Sequence, residues 1–83
     1  MTLDELSPAT PARIAWINWA ALADDEGKRL RALGIDKDAE VTIAHRGVLF
    51  GRDPLAIRVG AMTVALRRNH ARAISVNPVT VNA

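Results

Sequence analysis

The run Leu55-Ala56-Ile57-Arg58-Val59-Gly60-Ala61-Met62-Thr63-Val64-Ala65-Leu66 decides the fold. Apolar residues recur at every second position on both sides of Gly60-Ala61, the period of a strand and not of a helix. Glycine at the first of two turn positions is the signature of a type II′ hairpin. A two-residue turn at 60–61 sets Val59 opposite Met62, Ile57 opposite Val64 and Leu55 opposite Leu66, all on one side of the ribbon. A slip of one residue would expose one strand's whole apolar set, so the register is strongly specified.

Upstream, Val41, Ile43 and His45 alternate with Thr42, Ala44 and Arg46, which predicts another strand from residue 40 onward. Between it and the hairpin, Gly47 to Pro54 holds two glycines and a proline and reads as a turn-rich loop. Further back lies one helix. Asp24 or Asp25 is the expected N-cap, Glu26 adds negative charge to the first turn, and Lys28, Arg29 and Arg31 complement the dipole at the other end. Leu30 and Leu33 share a face. Gly34 suits the left-handed position after the helix, and Ile35 can close over Leu30 as in a Schellman ending.

Ala12 to Trp19 reads as the first strand, and its broken alternation predicts a bulge or an edge position. Ile14 and Trp16 would share one face, Ile17 and Trp19 the other. Before it, Thr2-Leu3-Asp4-Glu5 has the spacing of a capping box, which predicts a helical turn at Leu3–Leu6 ended by Pro8 and Pro11. After Leu66, Arg67 to Arg72 can form one helical turn, and Ile74 with Val76 a last short strand. Residues 1–76 are thus expected to form a single domain, with 77–83 a flexible C-terminal tail. The fold class is all-β with one short helix: a small β-barrel of about five strands, which solves the exposed-edge problem for so short a chain.

The 83 residues leave room for one core, and without cysteine neither disulfides nor thiolate metal sites can support it. No apolar stretch is long enough to span a membrane, and the acidic start lacks the basic region of a signal peptide, so a cytoplasmic location is expected. The net charge of +2 is unevenly spread: residues 1–39 carry five basic and seven acidic side chains, whereas residues 40–83 carry six arginines against Glu40 and Asp53. That excess makes a small nucleic-acid-binding barrel the alternative reading, although Phe50 is the only aromatic in that half on which a base could stack.

Catalytic chemistry is hard to find. His45 and His70 match no metal-ligand spacing, and they read as a half-buried strand residue and a surface residue. Asp24-Asp25-Glu26 reads as a charged first turn, and the glycines match no phosphate-binding loop. An enzyme, a cofactor and a metal site are therefore not expected. Trp16 and Trp19 stand out, since an exposed indole is a common anchor in protein contacts.

Over residues 2–76 the chain resembles the FeoA family. The resemblance rests on Thr2-Leu3-Asp4-Glu5-Leu6 with Pro8, on Ala12-Arg13-Ile14 followed by Ile17, and on Leu30-Arg31-Ala32-Leu33-Gly34-Ile35 ending in Glu40-Val41. Asp53-Pro54-Leu55, with the hairpin into Leu66-Arg67-Arg68 and Ala71, completes it. The resemblance implies an SH3-like fold and a cytosolic accessory role in ferrous iron uptake, binding and regulating a FeoB-like membrane GTPase transporter. Trp16, Trp19, Arg67 and Arg68 are the expected partner-binding residues; Leu30, Leu33, Gly34, Ile35 and Gly60 are structural. The chain departs from the family pattern in three places. Lys37-Asp38 stands where Pro-Gly is usual, His70 replaces an acidic residue, and the hairpin glycine falls one place early.

Overall fold

The computed structural model describes residues 1–46 and 54–79, with backbone only at 45 and 46. Five strands, β1 (Ala12–Ile17), β2 (Glu40–Arg46), β3 (Leu55–Val59), β4 (Met62–Leu66) and β5 (Ile74–Pro78), form one antiparallel sheet in the order β4-β3-β2-β1-β5. Helix α1 spans Asp24–Ala32, and the single turn α2 spans Arg68–Ala71. Two 3₁₀ turns lie at Leu3–Glu5 and Trp19–Ala21.

The β3–β4 hairpin has the predicted register, with Val59 opposite Met62, Ile57 opposite Val64 and Leu55 opposite Leu66. Gly60 has φ 59°, while Ala61 is not among the residues with positive φ. Positive φ at the first turn position alone is the type II′ geometry, whose twist matches that of the strands.

On β1 the register shifts between Ile14 and Trp16 against β5. This bulge re-phases the strand, so Ile14 and Ile17 both point inward while Trp16 points out. The strand is shorter than expected: it ends at Ile17, and Trp19 begins the second 3₁₀ turn. The Asn18 amide donates to the Ala73 carbonyl at 2.8 Å, in register with the Ile17–Ile74 pair, and this bond closes the β1–β5 ladder. A second bulge lies on β2 between Ile43 and His45, against β3.

The cap of helix α1 falls one residue before Asp24, the earlier of the two expected caps. Ala23 is the N-cap, and Asp24, Asp25 and Glu26 fill the first turn. Buried Leu22 holds the entry of the chain, the Asp25 carboxylate accepts the Glu26 amide at 2.9 Å, and all three carboxylates act on the positive end of the helix dipole. The ending is as predicted. Gly34 has φ 86° and donates to Arg31 at 3.1 Å, and Ile35 donates to Leu30 at 2.9 Å, the paired bonds of a Schellman motif. Lys37-Asp38 builds a turn in which Ala39 donates to Asp36 at 3.1 Å and Asp38 takes φ 73°. An aspartate thus occupies the left-handed position that glycine would take most easily.

At the N-terminus the expected capping box forms, with the Glu5 carboxylate accepting the Thr2 amide at 2.8 Å. The Thr2 hydroxyl also lies against the Asp4 and Glu5 carboxylates. The last strand is longer than expected: β5 pairs through Asn77 with Arg13 and through Pro78 with Ala12. Of the expected tail, 80–83 lie outside the described residues, as do the loop 47–53 and the His45 side chain.

Inward-facing residues of all five strands merge with Leu3, Leu6, Leu22, Leu30 and Ile35 in one core. Residues at both ends of the sheet, Leu66 on β4 and Ile74 on β5, share it, so the sheet must curl around its apolar face. Among the described residues no polar side chain is buried in this core. Leu33, expected to pack beside Leu30, is only partly buried at its margin.

Candidate protein-interaction surface

Functional side chains gather around α1, which separates two shallow depressions. On one side, Glu26 and Arg29 face the β4–α2 junction. The Arg29 guanidinium grips the Glu26 carboxylate with two bonds, Nε at 2.8 Å and Nη2 at 3.0 Å. That pairing holds the Glu26 pKa below the usual glutamate value and raises that of Arg29. His70 on α2 brings Nδ1 to 2.8 Å from Glu26 Oε2. The approach is off the line a ring N–H needs, so Nδ1 has proximity to a charge but no aligned hydrogen-bond partner. These three side chains, with Pro54, Ala65 and Arg67, line an open groove of about 370 Å³.

On the other side of α1, the Trp19 ring lies against the helix. Arg31 stacks over it with its guanidinium carbon 4.1 Å from the ring centroid, a cation–π contact. Gly27 faces the same ring. The depression here is lined by Trp19, Leu22, Ala23, Asp24, Gly27, Lys28 and Arg31 and shares no residue with the first.

The expected interaction residues are therefore not brought together into one patch. Trp16 is 59% exposed on the outer face of β1 and lines neither depression. Trp19 is half-buried and packs against the core, so it serves the attachment of α1. Arg67 is exposed at the rim of the Glu26–His70 groove. Arg68 points the other way, with Nε 3.9 Å from Asp4, where Arg72 also approaches to 3.5 Å. Of the arginine excess after residue 40, Arg68 and Arg72 are partly neutralised by Asp4, which weakens the nucleic-acid reading.

Sequence reasoning missed the Glu26–His70 contact. It took Glu26 as part of a charged first turn and His70 as a surface residue, and only the i, i+3 spacing of Glu26 and Arg29 was available as a local signal. Among the described residues, no group of three or more His, Asp or Glu side chains is placed to hold a metal ion. No helix among them is long and apolar enough to cross a membrane.

The model of the FeoA domain matches residues 1–78. No curated protein sequence matches the chain. Among solved structures, the chain is similar to the iron(II) transport protein A of Clostridium thermocellum, with 28% identity and a TM-score of 0.80 over 95% of this chain and 46% of that one. It spans about half the length of that relative. The FeoA protein of Chlorobium tepidum is 26% identical with a TM-score of 0.83, over 100% of this chain and 74% of that one. The FeoA of Stenotrophomonas maltophilia, an SH3 domain protein solved with zinc, is 35% identical with a TM-score of 0.77, over 93% and 89%. The five strands follow the SH3-like plan of these proteins, and a match running from the first residue into the end of β5 has one meaning: the chain belongs to the FeoA family, small accessory proteins of iron transport.

Proposed function

We propose that this protein is a docking module that binds the cytosolic part of a FeoB-like membrane GTPase and regulates ferrous iron uptake. The observation that carries the proposal is Trp16, an indole 59% exposed on a strand held from within by buried Ile14 and Ile17. A large apolar ring displayed on a rigid element loses little conformational entropy on binding, and tryptophan is enriched among the residues that dominate interface energies. Membership in an iron-transport family supplies the class of partner, and the Stenotrophomonas relative has been described as a candidate activating factor of ferrous iron transport.

The test is calorimetric titration of the protein into the isolated cytosolic domain of such a GTPase, with and without guanine nucleotide. Binding is expected in at least one nucleotide state, and Trp16→Ala should weaken it by about 2 kcal/mol, near thirtyfold. Absence of binding in every nucleotide state would remove the proposal.

A further inference from the structure

The two ends of the sheet are finished differently. At β5 the outer edge is covered, because Thr2 bridges to Ser75 and the Val76 amide donates to the Met1 carbonyl at 2.8 Å. At β4 no strand covers the edge among the described residues. Parity tells which backbone groups are left over. A two-residue turn makes Val59 and Met62 a hydrogen-bonded pair, so Arg58–Thr63 and Ala56–Ala65 are non-bonded pairs. The N–H and C=O of Thr63 and of Ala65 therefore point away from β3. The contact of Arg29 Nη2 with the Ala65 carbonyl, at a long 3.4 Å, agrees with that direction and is weak enough to be displaced.

An open edge is ordinarily protected by a charge, a proline or a bulge. Met62-Thr63-Val64-Ala65-Leu66 has neither charge nor proline, and its pairing with β3 is unbroken. Met62 is 46% exposed, and Thr63 and Ala65 are exposed and small, so no bulky side chain of β4 itself guards the edge. Beside it Glu26, which shares the groove with Ala65, is paired with Arg29, and the remaining charge is positive. Arg67 continues the outward parity of Thr63 and Ala65 in extended conformation, and Arg58 stands across from Thr63.

We infer that the β4 edge is a docking site for an extended acidic segment of a partner protein, which adds a sixth strand to the sheet. Backbone bonds to Thr63 and Ala65 would supply affinity, and carboxylates beside Arg67 and Arg58 would supply preference. A second copy of this chain is a poor occupant, since its own β4 edge carries no acidic side chain to meet these arginines. The site is separate from Trp16, so it stands or falls independently of the transporter reading.

The test uses an end-blocked heptapeptide of alternating glutamate and valine, titrated into the ¹⁵N-labelled protein and followed by amide shifts and hydrogen exchange. Saturable binding is expected, with the Thr63 and Ala65 amides shifted and protected. The same peptide with lysine for glutamate should not bind. Thr63→Pro removes one outward N–H at a position where an edge strand tolerates proline, and should weaken binding about tenfold. Thr63→Val keeps the N–H and should bind as the parent does. Because proline can disturb the hairpin, Arg67→Glu provides a second variant on the surface, also expected to weaken binding about tenfold. No saturable binding, shifts centred on β5 or α1, indifference to Arg67→Glu, or edge protection that depends on protein concentration alone would each overturn the inference.

Discussion

At Ala9 the backbone takes φ 64°, a left-handed conformation that costs an alanine roughly 1–2 kcal/mol. The cause is the turn Ser7-Pro8-Ala9-Thr10, in which Thr10 donates to Ser7 at 3.3 Å and the Ala9 amide is tied to Ile43 at 3.0 Å. With Pro8 at the second position, a positive φ at the third makes this a type II turn, where glycine is preferred. Gly27 is the reverse case: a glycine inside α1 where a Cβ would meet Trp19 at 3.5 Å, an ordinary packing distance. Ala9→Gly and Gly27→Ala should each stabilise the protein, by about 1 and about 0.5–1 kcal/mol, and the double variant should approach their sum. Urea denaturation checks both, and a lower midpoint for Gly27→Ala would mean that the Trp19 ring has no room to accept the methyl group.

Between elements, the Glu26–Arg29–His70 contact ties α1 to α2, and its ionic character gives it a pH signature. The pKa of folded Glu26 is lowered chiefly by the Arg29 hydrogen bonds, with the charge of Arg29 and of His70 adding to this. A carboxylate whose folded pKa is depressed contributes stability above its unfolded pKa, and that contribution is lost as the pH falls through the folded value. Glu26→Gln should therefore lower stability near neutral pH and flatten the acid limb of the stability profile, bringing the two proteins together at the acid end. Thermal melts across the acid range measure this. Parallel profiles for the parent and the variant would show that the pairing contributes no net stability.

For the molecule as a whole, the N-terminal segment is part of the domain and not an appendage. Leu3 is fully buried against β5 and α2, and the segment covers the β5 edge as well. Leu3→Ala should cost about 2–5 kcal/mol, a large share of the stability expected of so small a domain. Trp16→Ala should leave stability within about 0.5 kcal/mol, because its side chain lies outside the core. Denaturant unfolding of the two variants separates a residue kept for folding from one available for binding. If Trp16→Ala proved as damaging as Leu3→Ala, the exposed indole would have to be reassigned to the fold.

Local patterns were enough for the parts of the molecule whose physics is local. The hairpin register follows from period-two alternation around Gly60, and the end of α1 from Leu30, Leu33, Gly34 and Ile35, because a turn or cap is settled by a handful of neighbouring residues. The family resemblance used the same segments. Trp19 falls outside β1 because the extent of that strand depends on where β5 begins, at Ile74, with Asn18 bonded in register to Ala73 just before it. The helix takes Ala23 as its N-cap and begins at Asp24 because burial of Leu22 and packing against Trp19 set its entry. The meeting of Glu26 with His70, the scattering of Trp16 and Trp19 onto different surfaces, and the contrast between a covered β5 edge and an open β4 edge were decided by tertiary structure alone. Each depends on elements far apart in the chain, and curling the sheet around one apolar core sets their distances while leaving no trace in the local sequence.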